Sequence, residues 1–196
     1  MLYPRKFALP AIAVTMTFAL AACTTDQPSA TEPNTSEQQE SSEDFNDADV
    51  EFTSGMIPHH QQAVVMSEMA IDQGGPEVAD LAERIEAAQG PEIDTMTTWL
   101  QDWGVDAPTG MGDMGGMGDM GMMSPGDMQD MMDAEGEQFD TIWLEMMIEH
   151  HEGAITMSRT QQDEGLNSDA VNMAGTIIEA QQGEIDEMEE MLESSQ

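Results

Sequence analysis

The chain has 196 residues, with 40 Asp and Glu against 4 Lys and Arg, a formal net charge of −36 and 21 methionines. That balance excludes nucleic acid as a partner, because almost nothing is there to neutralise phosphates, and anionic lipid headgroups would repel the folded part. A single cysteine, Cys23, excludes an internal disulfide.

Arg5 and Lys6 precede an apolar run from Phe7 to Leu20, and Leu-Ala-Ala-Cys follows at 20–23. This is a charged start, an apolar stretch of secretory length and a small-residue cleavage site. Residues 1–22 therefore read as a lipoprotein signal peptide, with Cys23 the lipid-modified first residue of the mature chain. The alternatives are a plain signal peptide with an incidental cysteine, or an uncleaved anchor. Residues 23–43 are mostly Ser, Thr, Gln, Glu and Pro; they cannot bury enough surface to offset ordering entropy and are expected to form a disordered tether. Residues 44–194 remain for one domain, whose only basic side chains are Arg84 and Arg159.

Helical periodicity runs from Asp47 to Gln73, from Pro76 to Trp103, from Ser124-Pro125 to Glu164 with a break at Gly136, and from Ser168 to Leu192. No stretch alternates like a strand, so the fold class is all-α. The first and third helices carry one pattern twice: "MIPHHQQAVVM" from Met56 and "MIEHHEGAITM" from Met147. All four histidines of the chain lie in these two stretches. "AQGPEIDTM" from Ala88 and "AQQGEIDEM" from Ala180 repeat in the helices that follow. Each copy is a helical hairpin (44–104 and 125–194) that cannot bury its apolar stripe alone. Two copies predict a four-helix bundle with an internal two-fold axis.

The linker, 105–124, carries Met111, Met114, Met117 and Met120 every three residues among Gly and Asp. These thioethers either capture metal or belong to a spacer with no ligand role.

At about 100° per residue, Met56, His59 and Met66 share one helix face, and Met147, His150 and Met157 share its equivalent. The two faces should confront each other across the bundle axis, with His60 and His151 about 100° away. The inner stripes of the partner helices read Leu81, Ile85, Ala88, Glu92, Met96 and Trp99, and Met173, Ile177, Ala180, Glu184, Met188 and Met191. Carboxylate-bridged di-iron bundles combine a Glu from each of two helices with Glu-x-x-His from the other two. Here Glu92 and Glu184 remain, but Met-x-x-His replaces Glu-x-x-His. A hard oxygen donor has given way to a thioether, which suits copper(I). The candidate ligands are Met56, His59, His60, Met66, Met147, His150, His151 and Met157, with Glu92, Met96, Glu184, Met188 and the linker methionines as further candidates. The competing reading makes the methionines core filler and the histidines hydrogen-bonded core residues.

The stretches "MIPHHQQAVVMSEMA", "IEAAQGPEIDTMTTWL", "MMSPGDM" and "FDTIWLEMMIEHHEGAITMS" together resemble the DUF305 family, which includes periplasmic copper-binding proteins of the CopM type. The resemblance covers about Asp44 to Leu192. It implies a ferritin-like four-helix bundle and copper, sometimes silver, held by Met56, His59, His60, Met147, His150 and His151. Arg159, where the first copy has Glu68, and a linker rich in Asp depart from the pattern.

These readings converge on a lipid-anchored, extracytoplasmic protein that sequesters or transfers Cu(I) without catalysis. Ag(I) and Cu(II) are further candidate cargo, and a copper-transfer protein is the expected partner. Two alternatives stand beside it: a metal-dependent oxidase built on Glu92 and Glu184 with His59 and His150, and a structural envelope bundle without metal.

Overall fold

The computed structural model describes residues 44–108 and 120–195. The signal peptide, Cys23, the tether up to residue 43, and Met111, Met114 and Met117 lie outside the described residues. Among the described residues there are five helices and no strand: α1 (Asp47–Gln73), α2 (Pro76–Asp102), α3 (Pro125–Asp133), α4 (Glu137–Glu164) and α5 (Ser168–Ser194). None is long and apolar enough to cross a membrane.

The helix ends follow local chemistry. Asn46 and Asp49 form a capping box on α1, Ser124 and Asp127 form one on α3, and Asn167 caps α5. Pro76 opens α2 at a position where its missing N–H costs nothing. The expected break at Gly136 is real: this glycine, at φ 59°, separates α3 from α4. Pro58 and Pro91 each lie inside a helix that runs on past them.

α1 packs on α2, α4 packs on α5, and α1 packs on α4, so the two hairpins meet through their histidine-bearing helices. Two apolar clusters result, one on either side of a polar layer. One gathers Phe52, Met56, Met96, Leu100, Met157 and Ile177. The other gathers Met66, Leu81, Ile85, Trp143, Met147 and Met188, and adds Met131 of α3. Between them each of the four long helices contributes polar groups: His59 and His60 from α1, Gln89 and Glu92 from α2, His150 and His151 from α4, Gln181 and Glu184 from α5. The expected stripe needs one correction at this level. Ala88 and Ala180 point outward, and their neighbours Gln89 and Gln181 are buried instead.

The hairpins also hold each other's turns. Asp49, fully buried on α1, accepts from the backbone N–H groups of Leu166 and Asn167 in the α4–α5 turn. Asp140, its equivalent on α4, accepts from the N–H of Gly75 in the α1–α2 turn at 2.9 Å. A bidentate ion pair between Arg84 and Glu187 joins α2 to α5 at the surface.

Candidate metal site

At the crossing of α1 and α4 the His59 and His150 rings face one another, 3.8 Å between centroids and tilted by 41°. Both are buried, along with His60 and His151. Three of the four rings have a hydrogen-bond partner. The Nε2–H of His59 donates to the Met120 carbonyl at 3.0 Å. His60 and His151 each place Nε2 at 2.7 Å from a carboxylate, on Glu92 and Glu184 respectively. A carbonyl or carboxylate can only accept, so these bonds put a proton on Nε2, and in a neutral ring that leaves Nδ1 with a free lone pair. All four Nδ1 atoms are buried without a hydrogen-bond partner, and His150 has none at Nε2 either.

Orphaned nitrogens are costly in a packed interior, on the order of 1–3 kcal/mol each. A metal ion would satisfy them. An imidazole whose other N–H is held by a carboxylate or a backbone carbonyl is how proteins orient metal-binding histidines. Burial, and next the neighbouring His60, lower the His59 pKa to about 3. Burial first, then His59 and His151, hold His150 well below the ordinary histidine range. Both rings are thus neutral near neutral pH.

The thioethers flank this pair on both sides. Met56, Met96 and Met157 share one apolar cluster and Met66, Met147 and Met188 share the other, each triad drawn from three helices. All six are buried. The faces predicted to confront each other do so. Glu92 and Glu184 are engaged with His60 and His151. Among the described residues no three His, Cys, Asp or Glu side chains group closely enough to hold a metal ion. No oxygen-rich cage of the di-iron kind is therefore assembled among the described residues, and Met56 and Met147 stand one helical turn from His59 and His150.

The end of the linker closes over the pair. Besides the bond from His59 to Met120, the Gln62 amide donates to the Met123 carbonyl at 2.9 Å and accepts from its N–H at 2.7 Å. Gly153 stands where the first copy has Gln62, and any Cβ there would collide with the Met120 carbonyl. Gly121, at φ 74°, lies against Gly153 and the Glu149 carbonyl. This strap, Met120 to Met123, was not visible in the helical pattern. Its sequence signal was the glycine standing in place of Gln62 inside an otherwise repeated motif.

The model of the family described as "Domain of unknown function (DUF305)" matches residues 49–192. The chain belongs to the DUF305 family. Solved structures similar to it include a DUF305 protein from Streptomyces coelicolor described as secreted, at 30% identity, covering 76% of this chain and 93% of that one, with a TM-score of 0.69. A DUF305 fragment from Deinococcus radiodurans is 27% identical over 76% of this chain and 97% of that one, with a TM-score of 0.69. CopM in its Cu(II)-bound form is 31% identical over 74% of this chain and 96% of that one, with a TM-score of 0.64. CopM is also known in Cu(I)-bound and silver-bound forms. No curated protein sequence matches this DUF305 chain.

Proposed function

We propose that this DUF305 protein is an extracytoplasmic, lipid-anchored carrier that sequesters or transfers Cu(I) or Ag(I) through Met and His, and that it has no catalytic role. One observation carries the proposal: two neutral, buried imidazoles with unpartnered nitrogens face each other between two thioether triads. Imidazole nitrogen and thioether sulfur are uncharged donors. In a dry interior they leave the full charge of the ion uncompensated, which penalises a divalent ion more than a monovalent one. Softness points the same way, since thioethers prefer Cu(I) and Ag(I). The copper- and silver-bound CopM structures support this choice of cargo, and the secreted S. coelicolor relative supports a place outside the cytoplasm. Outside the cell, thioethers keep their donor character without deprotonation and cannot be lost to disulfides.

A sequestering role, rather than an oxidase, accords with Glu92 and Glu184 being hydrogen-bonded to histidines. Attachment through Cys23 and hand-over to a copper-transfer partner belong to the same reading. The test is a Cu(I) titration of metal-free protein against a coloured competing chelator. The wild type should withdraw copper from the chelate, and a His59→Ala/His150→Ala variant should withdraw far less. Equal competition by the two proteins would sink the assignment, as would sustained oxygen consumption with Cu(I) or Fe(II).

A further inference from the structure

The internal repeat allows one end of the bundle to be read against the other, residue by residue. Near the N-terminal half of α1 lies a cavity of about 60 Å³ between α1 and α4. Its walls are Ala48, Phe52, Met157 and Thr160, with Met120 of the strap alongside and Glu51 and Glu164 at the rim. That volume exceeds what a single water needs, so a small ion fits. Glu51, Thr160 and Glu164 are exposed, which places the mouth in solvent. Met157 is only 7% exposed and shares its apolar cluster with fully buried Met56, one helical turn from His59.

At the opposite end the equivalent positions are filled. Phe139 stands for Ala48, Ile142 for Glu51, Trp143 for Phe52 and Met69 for Thr160. Phe139, Trp143 and Met66 are all fully buried there, and the Trp143 indole N–H is bonded to the Met66 carbonyl at 2.9 Å. Met131 of α3 packs into the same cluster. A surface groove exists at that end, but none of the candidate ligands lines it.

We infer that the cavity is the port by which a soft monovalent cation reaches the His59–His150 pair, handed inward from Met120 and Met157 to Met56, while the Trp143 end is permanently shut. This rests on the copper reading above. Glu51 and Glu164 raise the local cation concentration at the mouth. Each thioether then offers a neutral, exchangeable donor, so the ion can move by ligand replacement with its oxidation state unchanged. The strap contributes Met120 because His59 and Gly153 hold its backbone in place.

The experiment gives the open end the residues of the closed one. Ala48→Phe/Thr160→Met changes one partly exposed and one exposed position, and circular dichroism with a melting curve checks the fold. Copper(I) is supplied to full-length mature protein as a coloured chelate, and both the rate and the final extent of transfer are followed by absorbance. The expected result is transfer at least tenfold slower, with the final partition unchanged within twofold. Thr160→Met alone, at an exposed site that should leave folding intact, is expected to slow transfer by a smaller factor. Glu51→Gln/Glu164→Gln should slow it in low salt and leave the rate in high salt unaltered. Wild-type rates in folded Ala48→Phe/Thr160→Met and in Thr160→Met would overturn the port. Failure of the wild type itself to withdraw copper would instead overturn the copper reading beneath it.

Discussion

The two ends of this bundle are built from equivalent segments of one internal repeat and differ in what they bury. At the end built around Trp143, aromatic rings, Met66 and a short extra helix fill the space between α1 and α4. At the end built around Phe52, Ala48 and Thr160 leave a cavity, and acidic side chains stand at its rim. Between them the histidine layer is nearly symmetric, down to matching 2.7 Å bonds from His60 to Glu92 and from His151 to Glu184. The difference teaches that the histidine layer keeps the repeat while access to it differs between the ends, through a few side chains and the linker.

The symmetric layer can be broken most severely at its centre. Replacing both His59 and His150 with Ala removes two ligands. Cu(I) affinity should fall roughly a hundredfold or more, about 3 kcal/mol, in a chelator-competition titration. Replacing Glu92 or Glu184 with Gln acts through the orientation of His60 or His151, and a loss on the order of tenfold is expected in the same titration.

The effect of pH follows from the same burial. His59 titrates near 3 in the folded protein and near 6.5 when unfolded, and His150 is shifted in the same direction. Below about pH 6.5 the unfolded chain takes up protons that the folded one refuses. The metal-free protein should therefore hold its full stability above pH 6.5 and lose it as pH falls towards 3. By pH 4 the loss should be on the order of a few kcal/mol, read as a falling denaturation midpoint. Substituting His59 by Ala should flatten that slope.

Glycine-to-alanine changes in the two long helices of the second hairpin should act with opposite signs. In α4, Gly153→Ala pushes a methyl into the Met120 carbonyl, and about 2 kcal/mol of stability should be lost. In α5, the methyl of Gly183→Ala meets nothing within 4 Å, and a gain of about 0.5–1 kcal/mol is expected from helix propensity alone. Thermal melts of the two variants check both. Smallest of all, Arg84→Ala removes a surface ion pair from a side chain that is 49% exposed, so the midpoint should move by less than 1 kcal/mol and copper uptake should not change.

Much of this was legible in the amino-acid sequence because helical period and repetition both survive burial. The helix bounds and the break at Gly136 follow from caps, prolines and glycines, and the meeting of the His59 and His150 faces follows from counting residues at 100° each. The partner helices were less legible. An expected stripe through Ala88 and Ala180 ignored that glutamine can be buried when its neighbours are polar, so Gln89 and Gln181 were overlooked even though the repeat preserves both. The strap was hidden for another reason. Its position depends on a backbone carbonyl and a missing Cβ, and neither has a periodic signature. Asp49 and Asp140 also read as ordinary acidic residues of first helical turns, though both begin the repeat at equivalent places.

Those two aspartates bear on ancestry. Each hairpin's bend is fastened by a carboxylate that the other hairpin supplies, so neither half is complete in isolation. Two copies of one hairpin, related by a two-fold axis, would make both fastenings with a single gene product. Fusion of such a homodimer into one polypeptide would free the halves to diverge, and the connecting segment could then settle across one face of the joint.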